Sequence, residues 1–202
     1  INYMLIIGLT GSIAMGKSAT SKTFNSYGVP VFNADKCVHK LLGPNGRLVS
    51  TIGKRFVGTL VKTTNIKYID RVKLGSIIFN DEKKKIELES IVHPQVGIER
   101  KKWKEWAQRQ RFKAICYDVP LLFETQGEKF CDVIVVVSAP FFIQKQRALS
   151  RTNMTEQKFN NILKTQMSDI EKRKRADFIV NSGIGYRFTR GQVKDILLRV
   201  FL

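Results

Sequence analysis

The sequence predicts an α/β fold built on a mainly parallel sheet, and three observations carry that reading. Short apolar runs rich in Val, Ile or Phe alternate with helical patterns along the chain. The stretch Gly11-Ser12-Ile13-Ala14-Met15-Gly16-Lys17-Ser18 follows the first of these runs directly and spells the phosphate-loop pattern G-x-x-x-x-G-K-S. A hydrophobic content of 43% over 202 residues suits one sizeable core with room for an inserted subdomain.

The elements follow in order. Leu5 to Leu9 reads as the first strand, and Lys17 to Tyr27 as the helix after the loop. Val29 to Phe32 is the second strand. The next segment, Lys36 to Arg111, reads as a mostly helical insertion, with helices over Lys36 to Leu42, Arg47 to Phe56, Arg71 to Phe79, Lys83 to Ile91 and Pro94 to Arg111. Gly43-Pro44-Asn45-Gly46 and Gly58 to Ile66 supply loops, and His93-Pro94 breaks one helix and starts the next. Three more strands are expected at Lys113 to Asp118, Asp132 to Val137 and Asp177 to Val180. A second helical excursion, Phe141 to Arg175, precedes the last strand, and an amphipathic helix, Gln192 to Phe201, ends the pattern.

Composition narrows the class. The longest apolar candidate, Val133 to Ile143, is too short for a membrane span and is broken by Ser138 and Pro140. The opening residues lack the basic, apolar and small-residue order of a secretory leader. Cys37, Cys116 and Cys131 show no metal-ligand spacing, and His39 and His93 fit no H-E-x-x-H pattern, so neither structural zinc nor a disulfide framework is expected. Unpaired thiols point to a reducing cytoplasm. The formal charge of +18 fits a polyanionic ligand or a basic proteome as well as it fits nucleic acid. Trp103 and Trp106 lie among basic clusters, but Val96, Trp103 and Ala107 continue a helical stripe, which favours a packed face over a base-stacking platform.

A phosphate loop presents backbone N–H groups and a helix N-terminus to one phosphate cluster. Lys17 would reach the β- and γ-phosphates of a nucleoside triphosphate, and the Ser18 hydroxyl would hold Mg²⁺. Asp35, at the C-terminal end of the second strand, is placed either to accept the proton of an attacking alcohol or to cap the following helix. Gln144, Arg147 and Arg151 fall at i, i+3 and i+7, so the arginines share a helix face that suits a triphosphate or is simply solvated. Asp70 caps a helix and Arg71 faces an anionic substrate in one reading of that pair. Asp118 is either a Walker-B carboxylate for Mg²⁺-bound water or a strand-end carboxylate.

Taken in order, these pieces resemble the dephospho-coenzyme A kinase family over nearly all of the chain. The motifs are Gly8-Leu9-Thr10-Gly11 with the loop through Ser18, Tyr27-Gly28-Val29-Pro30, Asn33-Ala34-Asp35, Ile69-Asp70-Arg71, Leu74, Phe79 and His93-Pro94. They continue with Asp118-Val119-Pro120-Leu121-Leu122-Phe123-Glu124, Gln144, Arg147, Arg151, Gln166, Arg173, Ala176-Asp177 and Asn181. The resemblance implies a P-loop NTPase three-layer core with a parallel five-stranded sheet, an inserted helical substrate domain and a helical lid. The core would comprise 1–35, 112–140 and 176–202, the substrate subdomain 36–111 and the lid 141–175.

It also implies transfer of the ATP γ-phosphoryl group to the ribose 3′-hydroxyl of dephospho-coenzyme A, the last step of coenzyme A synthesis. ATP would be held by Gly11, Ser12, Ile13, Ala14, Met15, Gly16, Lys17, Ser18 and Ala19 with Arg147 and Asn181. Asp35, Lys17 and Arg147 would be catalytic, Asp35, Arg71, His93 and Leu121 would bind the substrate, and Ser18 and Asp118 would hold Mg²⁺. A cytoplasmic monomer or small homo-oligomer, with no nucleic-acid or membrane partner, is the matching expectation. Asn33 stands where the family usually has Asp, and Phe56-Val57-Gly58 replaces the usual Phe-Gly pair. Other P-loop kinases acting on a nucleoside or a nucleotide monophosphate, and a basic nucleic-acid-binding protein using ATP as a switch, are the rival readings.

Overall fold

The structure, a computed structural model, describes residues 4–79 and 81–201. These form two compact units: the first is built from the chain up to Phe32 and from Trp106 onward, the second from Asn33–Glu105.

The first unit is organised by a five-stranded sheet ordered β2-β5-β1-β6-β7. Its strands are β1 (Leu5–Thr10), β2 (Val31–Asn33), β5 (Ala114–Asp118), β6 (Val133–Ser138) and β7 (Phe178–Asn181). β1 runs parallel to β5 and β6, and β6 parallel to β7. The register pairs Leu9 with Asp118, Thr10 with Val136, and Ser138 with Asn181, so the strands end together at one edge of the sheet. In open α/β sheets that edge is where ligands bind.

Alternation along the strands sends Ile7, Leu9, Ala114, Cys116, Val135, Val137 and Val180 to one face. They meet Phe24 of α1 (Lys17–Ser26) and Val193, Ile196 and Leu197 of α9 (Tyr186–Phe201) in a single core. The opposite face is closed by the chain after β5. A Cβ on Gly8 would lie 2.7 Å from the Cys131 sulfur and 3.0 Å from a Leu122 methyl, so glycine at this strand position admits a close cover. α8 (Asp169–Lys174) packs against β6. The same unit also contains α6 (Phe141–Leu149) and α7 (Glu156–Thr165).

The second unit contains α2 (Ala34–Leu42), α3 (Val49–Arg55), β3 (Leu60–Lys62), β4 (Lys67–Ile69) and α4 (Arg71–Phe79), together with most of α5 (Glu82–Arg109). Leu41, Leu42, Leu48, Val49, Ile52, Phe56, Ile69, Leu74 and Val92 form its own core.

Four sequence expectations need correction. Gly58 to Ile66, expected as loop, contributes β3 to an antiparallel hairpin with β4, in the register Leu60 to Ile69 and Lys62 to Lys67. Ile69 is its buried residue, while Leu60 and Tyr68 stay exposed, so no two-residue alternation of buried letters marks the hairpin. The helices expected on either side of His93-Pro94 are one helix, α5, with Pro94 inside it. Leu88, Ile91, Val92 and Val96 pack on the second core from both sides of the proline, and that continuous burial offsets the roughly 3 kcal/mol cost of an interior proline. α2 begins at Ala34 rather than Lys36, and α9 begins at Tyr186, six residues ahead of the amphipathic run expected from Gln192.

Trp106 packs against Phe112 with the rings tilted by 46° and their centroids 5.7 Å apart, and Ala107 beside it is fully buried. No helix among the described residues is long and apolar enough to cross a membrane.

Ile52 lies at the centre of the second core with no exposed surface. Ile52→Ala should lower unfolding free energy by about 2–5 kcal/mol, measured by denaturant titration.

Candidate active site

The phosphate-loop residues join β1 to α1. Ala14 and Gly16 both take positive φ, 61° and 89°, which curls the loop into a concave turn of backbone. Gly11 enters the turn against β6, where a Cβ would lie 2.6 Å from the Val137 carbonyl oxygen, so a side chain there would drive the loop off the sheet. No side chain caps α1 and its first turn holds no acidic residue, so the positive end of the helix is not neutralised by neighbouring groups of its own turn. The arrangement suits an anion.

The loop is fastened mainly through its carbonyls and side chains. Gln144 of α6 donates to the Ile13 carbonyl at 2.9 Å, and the Ile13 N–H donates to the Gln166 side chain at 3.0 Å. The Ser182 hydroxyl donates to the Met15 carbonyl at 2.6 Å. The Met15 N–H donates to the Ser12 carbonyl, the Ala19 N–H to the Gly16 carbonyl, and the Ala139 N–H to the Met15 sulfur.

Three charged side chains meet at this edge. Lys17, the first residue of α1, makes an ion pair with Asp118, the last of β5, whose carboxylate is only 1% exposed. Arg147 donates to the Ser182 hydroxyl and to the Ser182 carbonyl, both at 2.9 Å. A Cβ on Gly16 would lie 2.8 Å from the Ser182 hydroxyl and 3.5 Å from an Arg147 nitrogen, which puts the guanidinium against the loop itself. Ser18 is exposed at the helix N-terminus. Asn181 ends β7, accepts from the Gly183 N–H at 2.9 Å, and lines a cavity of about 290 Å³ with Ser138, Pro140, Phe141, Asp169 and Arg173.

The structure therefore brings together 11–19, Asp118, Arg147 and Asn181 in one unit. Leu121, 37% exposed, lies in the same unit on the segment after β5. Asp35, Arg71 and His93 belong to the second unit. Asp35 does not cap its helix: the Asn33 side chain accepts from the Lys36 N–H at 2.8 Å, and Asp35 is an exposed residue of the first turn. Asp70 does cap, accepting from the Val72 and Lys73 N–H groups at 3.0 and 3.1 Å. Arg71 meets the ring of His39, one turn along α2 from Asp35, while His93 is exposed on α5. Arg151 does not share a helix face with Arg147, because α6 ends at Leu149.

Residues 5–185 match the model of the dephospho-CoA kinase family. The chain belongs to that family. A dephospho-CoA kinase of Bartonella henselae is 48% identical over 194 residues, covering 96% of this chain and 97% of that protein. Among solved structures, a Thermus thermophilus protein superposes with a TM-score of 0.83 at 26% identity, over 99% of each chain. A dephospho-CoA kinase from Campylobacter jejuni superposes with a TM-score of 0.65 at 26% identity, over 96% of each chain. The similarity thus spans both units, not the phosphate loop alone.

Ser182, His39 and the exact tie made by Gln166 escaped the sequence reading. Ser182 sits beside Asn181 without a motif of its own, and His39 is marked only by lying four residues after Asp35, on the same face of α2.

Behind the site, Cys116 is fully buried in β5. Burial pushes its thiol well above the usual range, and the negative charge of Asp118 adds to that shift while Lys17 opposes it. Because the thiolate is the reactive form, a raised value suppresses reaction at neutral pH and restores it only in alkali. At about pH 8 the native protein should resist iodoacetamide at Cys116, and unfolding should expose it; peptide mass mapping of the native and denatured protein checks this.

Proposed function

We propose that the protein phosphorylates the ribose 3′-hydroxyl of dephospho-coenzyme A with ATP, giving coenzyme A and ADP. The observation that carries this reading is the phosphate loop, with Lys17, Asp118 and Arg147 gathered on it, in a chain whose family match runs through the second unit as well. ATP phosphates are assigned to the loop of residues 11–19 and the N-terminus of α1, and its base to the loop around Asn181, whose cavity supports that contact. Residues 141–175 act as the lid and residues of the second unit, with Leu121, bind the acceptor.

In the proposed reaction the acceptor oxygen bonds to the γ-phosphorus as the bond from that phosphorus to the β–γ bridging oxygen breaks. ADP leaves with the bridging electrons. Asp35 receives the hydroxyl proton, a role open to it because Asn33 does the capping. Lys17 and Arg147 offset the charge spread over the transferring group, and Arg147 exchanges its Ser182 contacts for phosphate as it does so.

Ser18 and Asp118 suit Mg²⁺, since a hydroxyl and a carboxylate are hard oxygen ligands. An ion of this kind is commonly held by one or two carboxylates together with substrate phosphates and water. When bound, Mg²⁺ would neutralise phosphate charge at this end of the loop. Arg71, oriented by His39, is assigned to an anionic group of dephospho-coenzyme A. The cytoplasm is the matching location.

The deciding assay is ADP release from Mg·ATP with dephospho-coenzyme A, run beside adenosine, AMP, CMP and single-stranded RNA. Release with dephospho-coenzyme A alone, and coenzyme A as product, is expected; release only with another acceptor, or stimulation by RNA, would overturn the reading. Asp35→Asn should lower kcat by about 10²–10⁴-fold and leave the dissociation constant for ATP within about twofold, as steady-state kinetics and calorimetry will show.

A further inference from the structure

Lys172 and Glu124 stand 48 positions apart in sequence and form an ion pair at 2.9 Å inside the first unit. From its sequence, Lys172 opens a basic run that looks solvated, Lys172-Arg173-Lys174-Arg175, yet its side chain has no exposed surface. Glu124 closes an apolar stretch and is 19% exposed, with its second carboxylate oxygen buried and unpartnered among the described residues. Withdrawing both charges from water is costly, and apolar side chains of similar volume would fill the same space at equal or better stability. Packing alone therefore does not account for the pair.

What distinguishes it is the set of hydrogen bonds that converge on it. The Glu124 oxygen that receives Lys172 also accepts the Met167 N–H at 2.8 Å. The neighbouring residue, Gln166, is the one that accepts the Ile13 N–H of the phosphate loop. Lys172 donates in addition to the Pro120 carbonyl at 3.2 Å, and that carbonyl also accepts the Thr10 hydroxyl at 3.0 Å, at the end of β1 just before the loop. One buried pair is thus tied by short bonds to both the entry of the loop and the residue that grips Ile13.

We propose that Lys172 and Glu124 are positioning residues for ATP: the pair fixes Gln166, Gln166 fixes the Ile13 end of the phosphate loop, and the loop is thereby held open to the triphosphate. The inference rests on the reading of this loop as the ATP site. It assigns the pair no contact with either substrate.

The test compares the parent with Lys172→Met/Glu124→Leu, which removes both charges at similar volume, with Gln166→Leu, and with all three changes together. Thermal unfolding, calorimetric ATP binding and both KM values are measured on each. The double variant should unfold near the parent temperature, raise the dissociation constant and KM for ATP about tenfold, and leave KM for dephospho-coenzyme A within about twofold. Gln166→Leu should reproduce that shift, and adding it to the double variant should weaken ATP no further, because the three residues act as one chain. Unchanged ATP affinity in the folded double variant, or fully additive losses, would overturn the proposal. If the double variant does not fold, the same cycle with Glu124→Gln in its place decides by the same criterion of additivity. A parent that binds no ATP would instead remove the reading of the site itself.

Discussion

A backbone loop that is to receive an anion needs free N–H groups, so much of its shape has to be held by other means. That constraint governs the first unit. The turn from Gly11 to Lys17 is fastened through the Ile13 and Met15 carbonyls, through the Met15 sulfur, and through backbone contact of Gly11 with β6. Its fastenings come from three segments that reach the same sheet edge: α6 through Gln144, the segment before α8 through Gln166, and the chain after β7 through Ser182. Parallel strands in register bring those elements to one edge, and the loop inherits its geometry from the sheet.

Charge is distributed with the same logic. Lys17 is neutralised by Asp118 at the end of β5, and Arg147 is held by the uncharged Ser182 rather than by a carboxylate. Among the described residues one cation is therefore paired with a carboxylate and the other is held by neutral acceptors. The surplus of basic over acidic residues elsewhere is carried largely on exposed helix faces, where pairs such as Lys85 with Glu82 and Lys102 with Glu99 contribute little.

The elements nearest the site were the most legible. β1, the loop and α1 are marked by an apolar run, two fixed glycines and the Lys-Ser pair, all of which act locally. The strands of the sheet are short apolar runs because both their faces are covered, and their positions agree with expectation to within one or two residues. The β3–β4 hairpin was illegible because it is mostly exposed, so its letters obey no burial period. The continuity of α5 through Pro94 was hidden because local chemistry says break while packing on the second core says continue. The contacts that brace the loop from behind were hidden for another reason. Ser182 to Met15 and Lys172 to Glu124 are contacts between distant segments, and a serine or a lysine in isolation carries no mark of the partner that folding supplies.

At the start of α2, the residue that holds the helix end and the residue that can change charge are different. Asn33 bonds the Lys36 N–H with an amide that keeps the same form at every pH, and Asp35, in the turn beyond it, is the acid. As built, the capping bond at the start of this helix belongs to Asn33 and makes no demand on the Asp35 carboxylate.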